Sequence, residues 1–157
     1  MSWLDPADRI APRHELPVGY RIVSRSADRS RPHPMIARNG TQVEQALTRC
    51  SLYDPALDLA LLAPDGAVAG YALFWPDPVT GVGLVEPMRI EQQHAGQGLG
   101  RQLLDAGLRG LIAAGCTRLK VSMEPANTAA VRLYTGAGFV VSGRDVTWVH
   151  TVGKMVT

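Results

Sequence analysis

The sequence predicts one α/β (α+β) domain built on a mixed central sheet of six to seven strands flanked by helices. Three observations predict it. Short runs with every second residue apolar recur between glycine and proline turns, as half-buried strands require. One longer segment instead carries Leu99, Leu103, Leu104, Leu108, Leu111 and Ile112 on a single helical stripe. The order is strands first, then strand–helix–strand–helix–strand, so helices make the crossovers that parallel pairing needs.

Residues 1–17 hold Pro6, Pro12 and Pro17 among mixed charges, without an apolar period. They read as a linker-like arm, leaving 18–157 as the domain. Residues 20–24 form a first short strand. Pro32 and Pro34 restrict helix in the next stretch, while Thr41 followed by Glu44 has the spacing of a capping box for a helix through about Cys50. Leu57, Leu59 and Leu61 alternate as a strand, Asp65-Gly66 makes a hairpin turn, and residues 68–75 return. A fourth strand spans residues 82–90. The helix from Leu99 ends at Gly115. Leu119, Val121 and Met123 alternate in a fifth strand, Asn127 caps a helix through Thr135, and residues 139–142 and 147–152 close the chain as strands.

Composition narrows the function. At 157 residues with 46% hydrophobic and 19% charged residues, the chain has enough apolar content for a full core, and its net charge of +2 gives no argument for nucleic acid or a membrane surface. Cys50 and Cys116 form no CxxC pair, and His14, His33, His94 and His150 lack zinc spacing, so no metal is expected. No run of eighteen apolar residues and no amino-terminal leader pattern is visible, which makes a cytoplasmic protein the expectation. Arg21, Arg25, Arg29, Arg31, Arg38 and His33 crowd one stretch with only Asp28 nearby. That reads as a solvated basic face, or more sharply as a surface for an anionic ligand.

The strongest local feature is Gly96-Gln97-Gly98-Leu99-Gly100-Arg101, set between a strand and the amphipathic helix. Glycines let backbone approach a ligand, and the first helical turn leaves amides unpaired at the positive end of the helix dipole, a cradle for phosphate. The dinucleotide fingerprint fails because its third glycine position falls on Arg101, and a Walker loop fails because no Lys-Ser or Lys-Thr follows. A tight turn with no ligand is the alternative. A second cluster, residues 127–139, places Asn127 and Tyr134 seven positions apart, so they share a helix face with roughly 10 Å of rise between them. Taken singly, Asn127 reads as an N-cap and Tyr134 as a packed aromatic.

Together, NxxAxxLYxxxGF some thirty residues after a GxG helix start resembles the GNAT superfamily of N-acetyltransferases. The resemblance covers about residues 57–148 and is strongest over 85–100 and 127–139. It implies a sheet splayed between its fourth and fifth strands, and Pro87, which has no N–H for a central ladder, agrees with a break there. It implies acetyl-CoA as the acyl donor, its pyrophosphate held by the backbone of Ala95, Gly96, Gln97, Gly98 and Gly100, with Arg89, Ile90, Arg101, Asn127 and Tyr134 completing the cofactor site. Ala95 stands where the family carries Arg or Gln, so one loop-fixing side chain is missing.

Acyl transfer to an amine needs a base for the ammonium proton, a donor for the oxyanion and an acid for the departing thiolate. By resemblance Tyr134 is the acid, the Ile90 amide the donor and Glu86 the base, with Glu124, then Glu91 or His94, as other candidates. Glu86 in a salt bridge is the alternative reading. The basic stretch lies where the family builds its acceptor site, which suggests a mildly acidic or peptide-like amine. The implied function is N-acetylation of a small-molecule or peptide amine. A non-catalytic acetyl-CoA-binding module, or one half of a tandem or dimeric assembly, is the other reading, and a homodimer fits either.

Overall fold

The computed structural model describes residues 1–143 and contains a seven-stranded mixed sheet. In chain order its elements are β1 (Ser2–Leu4), β2 (Arg21–Ser24), α1 (Ile36–Asn39), α2 (Val43–Thr48), β3 (Asp58–Leu62), β4 (Val68–Asp77), β5 (Val82–Ile90), α3 (Leu99–Ala113), β6 (Arg118–Val121), α4 (Thr128–Gly136) and β7 (Val140–Val141). The strands lie in the order β2-β3-β4-β5-β6-β1-β7. Only β5 and β6 run parallel, joined by the α3 crossover. The strand expected at 147–152 lies outside the described residues.

Alternation along β4 assigns the two faces. Ala72 and Phe74 join the main core with Leu103, Leu104, Leu108 and Leu111 of α3. Tyr71 and Leu73 pack on the other side with Val43 and Leu47 of α2. The crossover helix sits so close that a Cβ built on Gly107 would lie 1.9–2.2 Å from three ring atoms of Phe74. Gly107→Ala must therefore push Phe74 out of place, an overpacking cost of about 1–3 kcal/mol. Differential scanning calorimetry should show Tm falling by several degrees, and an unchanged Tm would contradict this packing.

Two sequence expectations are corrected. Residues 1–17 are not an arm outside the core. Ser2–Leu4 is a strand inserted between β6 and β7, with Ser2 opposite Val121 on one side and Val141 on the other. The segment after it straps α3 and α4: Arg9 pairs with the buried Asp105, Ile10 N–H donates to the Ala137 carbonyl at 3.1 Å, and Arg101 and Gln102 donate to the Ile10 and His14 carbonyls. The capping box at Thr41 and Glu44 does not form either. The helix begins only at Val43 without a side-chain cap, because the Glu44 carboxylate accepts from Arg25 Nη2 at 2.5 Å and His33 N–H at 2.9 Å.

The splay expected between the fourth and fifth strands is present at β5 and β6. Their pairing starts at Val82 opposite Arg118 and ends at Val85 opposite Val121, although β5 continues to Ile90. A bulge on β5 lies at the same place: Ala72 faces Met88 and Phe74 faces Val85, so Leu73 alone opposes Glu86 and Pro87. The sheet opens where proline interrupts it, and the opening faces the head of α3.

Candidate active site

The site is assembled from three local structures: the free end of β5, the glycine loop with the first turn of α3, and α4. Glu91 N–H donates to the Ala69 carbonyl at 2.9 Å, making Glu91 and Ala69 a hydrogen-bonded antiparallel pair. Alternation then turns the Ile90 amide away from β4, toward the side where β6 no longer pairs with β5. The sequence-predicted oxyanion donor is thus aimed into the splay.

A short 3-10 turn (Gln92–His94) leads from β5 to the loop, whose residues 95–98 are exposed. Gly96 and Gly98 have φ of +78° and +76°, and a Cβ at either would meet no atom within 4 Å. L-residues seldom adopt this conformation, which explains glycine at both positions. Backbone bonding resumes only at Arg101 N–H, which donates to the Gly98 carbonyl at 3.0 Å. The amides of residues 96–100 have no partner among the described residues, and they head a fifteen-residue helix. This is an open concavity lined by N–H groups at the positive end of a dipole, a fit for the phosphates of coenzyme A.

Gly100 lets the three parts approach: its missing Cβ would stand 3.4 Å from Ile90 Cγ1, 3.7 Å from Leu133 Cδ2 and 3.8 Å from Met88 Cε. Leu133 lies on α4 beside Tyr134 in sequence, so the end of β5, the head of α3 and α4 converge. Tyr134 is buried, packs edge-to-face on Phe139 with centroids 5.8 Å apart, and its hydroxyl has no hydrogen-bond partner among the described residues. Burial first, and the Glu86 charge second, push its pKa up to about 12. Tyr134 and Glu86 are therefore electrostatic neighbours. Glu86 itself is exposed and forms no salt bridge among the described residues.

The raised tyrosine pKa has a consequence for stability. The native state keeps the Tyr134 proton to about pH 12, whereas the unfolded chain releases it near pH 10. Stability from this group is complete below pH 10 and declines as pH rises from 10 to 12. Denaturant melts should show that alkaline loss in the wild type and a smaller one in Tyr134→Phe. Equal slopes would contradict the buried environment.

The remaining predicted residues divide. Asn127 is the N-cap of α4, its Oδ1 accepting from Ala130 N–H at 3.0 Å. Arg101 bonds the Ile10 carbonyl, and its Nη1 is buried without a partner. Its guanidinium is thus drawn toward the amino-terminal strap, and burial lowers its pKa. Arg89 is exposed beside Glu91, at 3.4 Å. Glu91 is a poor base, because two parallel bonds from Arg38, both 3.0 Å, hold its carboxyl below the usual range. Glu124 lies in the turn beyond β6 and is exposed.

The basic stretch is largely neutralised by acidic partners, two of them outside the stretch. Arg25 is bound to Glu44, Arg38 to Glu91, and Arg31 to Asp28. His33 is buried against Asp58 at 2.9 Å, and Tyr53 donates to the same Asp58 oxygen at 2.6 Å. Sequence reasoning missed Tyr20, which reaches His94 and Gln97 of the loop, and the Arg38–Glu91 fork. Neither contact has a local signal, since the partners stand 53 to 77 positions apart.

Comparison with known proteins agrees with this geometry. The acetyltransferase (GNAT) family matches residues 22–139. The chain is 38% identical over 94 residues to a mycothiol acetyltransferase of Kineococcus radiotolerans, covering 60% of this chain and 30% of that protein. It is 31% identical over 129 residues to the mycothiol acetyltransferase of Tsukamurella paurometabola, covering 76% of this chain and 44% of the relative. The chain thus spans less than half the length of these curated relatives. Among solved structures, a GCN5-related N-acetyltransferase from Sphaerobacter thermophilus superposes with a TM-score of 0.66 at 21% identity, over 90% of this chain and 47% of that one. With its sheet splayed at β5, its amide-lined cradle and a family match across most of its length, the chain belongs to the GNAT acetyltransferase family.

Proposed function

We propose that this protein transfers the acetyl group of acetyl-CoA to a primary amine of a small molecule or peptide. The observation that carries the proposal is the row of unpartnered amides at residues 96–100, open to solvent at the point where the end of β5 and α4 meet the head of α3. Bound there, acetyl-CoA supplies a thioester carbon that amines can attack.

The chain's own groups then have distinct tasks. Residues 96–100 hold the pyrophosphate through backbone N–H groups, which needs no cationic side chain. Glu86, exposed at the splay, accepts a proton from the incoming ammonium, directly or through water. The Ile90 N–H donates to the carbonyl oxygen as charge builds on it. Tyr134 gives its proton to the sulfur as the C–S bond breaks and the C–N bond is retained. A phenol with pKa about 12 stays protonated throughout the neutral range, but it is a weak acid toward a thiolate. The Glu86 charge is one cause of that shift. Burial is the larger cause and persists through the reaction, so a proton taken up by Glu86 relieves only the smaller part of that shift.

Among the described residues, only the Arg21 and Arg29 side chains of the basic stretch lack an ion pair or hydrogen bond, which leaves little charge to select an acidic acceptor. The relatives are named for mycothiol, which favours a small-molecule acceptor. Thiol release from acetyl-CoA, followed across acidic, neutral and basic amines, tests the proposal. Release above the hydrolytic background with at least one amine is expected. A second reading draws on the matched share of each relative, 30% and 44%: this unit is one half of a two-part acetyltransferase, and its partner half contributes to the chemistry. Binding of acetyl-CoA without turnover on any amine would select that reading.

A further inference from the structure

The cradle is useful only while its amides face outward together, and the loop that carries them is made of residues poor at holding a shape. Gly96 and Gly98 are free in φ, residues 95–98 are exposed, and Ala95 offers only a methyl group. The base of the loop is secured by its own short turn, through His94 N–H to the Glu91 carbonyl at 2.9 Å and Ala95 N–H to the Gln92 carbonyl at 3.1 Å, and by the Arg38 fork on Glu91. Among the described residues, no backbone hydrogen bond reaches Gly96 or Gln97 at its apex.

The apex is reached from the opposite edge of the sheet. Tyr20 stands immediately before the edge strand β2, with two strands between it and β5. Its hydroxyl lies 2.9 Å from His94 Nδ1 and 3.3 Å from Gln97 Oε1, and its ring meets the imidazole edge-to-face with centroids 5.8 Å apart. A phenol has one O–H and two lone pairs. When the O–H is donated to Gln97, the Nδ1–H tautomer of His94 donates back to the phenol oxygen, and all three groups are satisfied.

Tyr20 is itself held firmly. Its ring packs against the main core. The preceding Gly19, at φ +85°, lets the chain approach Pro64 so closely that a Cβ there would fall 2.8 Å from its Cγ. A fixed hydroxyl thus meets the two loop side chains that flank Ala95 and Gly96.

We propose that Tyr20 is a positioning residue for the cofactor loop, holding His94 and Gln97 so that the amides of residues 96–100 stay aimed outward. The proposal rests on the acetyl-CoA reading above. It assigns Tyr20 no contact with the coenzyme and no part in the bond changes. Its energetic effect belongs to preorganisation: an untethered loop must be ordered anew at each binding event.

The test is calorimetric titration of coenzyme A into the full chain and its variants, with steady-state kinetics alongside. Tyr20→Phe keeps the packed ring and removes the hydroxyl. Loss of one or two ordinary hydrogen bonds predicts affinity weaker by about fivefold to tenfold, with KM for acetyl-CoA rising by more than kcat falls. His94→Ala, which leaves the Tyr20 ring in the core, should weaken binding similarly. Combining Tyr20→Phe with Gln97→Leu should cost little more than the worse single change, since both break one linkage. Affinity unchanged in Tyr20→Phe and His94→Ala, or strictly additive losses in the double variant, would overturn the positioning role while leaving the acetyl-CoA reading intact. No heat with the wild-type chain would overturn both.

Discussion

Tyr134→Phe should lower kcat for acetyl transfer by about 10²-fold or more while the Kd for coenzyme A changes less than about threefold. General-acid contributions are of that size. The substitution removes one oxygen and keeps the ring that packs on Phe139, so the core and α4 stay in place. The split between the two constants is the informative part. An interaction made only as the sulfur departs lowers kcat and leaves ground-state binding alone. A Tyr134 that served packing alone would leave kcat close to the wild-type value. Stopped-flow thiol detection beside calorimetry distinguishes the two outcomes.

The next largest effect belongs to the cradle. Gly98→Val should weaken coenzyme A binding by at least about tenfold, and Tm should fall by several degrees. A β-branched residue at φ +76° is a steric outlier, and holding an L-residue there costs on the order of 1–2 kcal/mol. The new side chain would also project into the space where no protein atom lies within 4 Å, the space assigned to phosphate. Gly115 provides the control. It too has positive φ, +89°, and open surroundings, but it closes the other end of α3. Gly115→Ala should lower Tm and leave the coenzyme affinity unchanged. If both variants weakened binding equally, strain transmitted through the helix would explain the loss, and the cradle would not.

How much of this could be read from sequence depended on the range of the contacts involved. The helix from Leu99, its glycine head, the Asn127 cap and the hairpin at Asp65-Gly66 are written in residues a few positions apart, and each forms where expected. Pro87 likewise marked the break in β5. The failures are non-local. Ser2–Leu4 is too short to show alternation, and its partners are Val121 and Val141, at the far end of the chain. Thr41 and Glu44 have capping spacing, yet Arg25 and His33 claim the glutamate first. The arginine-rich stretch looked uncompensated because Glu44 and Glu91 lie well beyond it in sequence. In the site, glycines and a tyrosine at motif spacing were legible. The Tyr20 tether and the Arg38 fork emerge only when the sheet brings β2 and α1 beside the loop.

The central claim is that bare backbone amides at the head of α3 hold the phosphates of coenzyme A. Amide-resolved NMR during titration of the ¹⁵N-labelled chain with coenzyme A addresses it directly. The account predicts saturable shifts that are largest at Gly96, Gln97, Gly98, Leu99 and Gly100 and move downfield as each N–H gains an acceptor. Shifts centred on another part of the molecule, or none at all at saturating coenzyme, would contradict it.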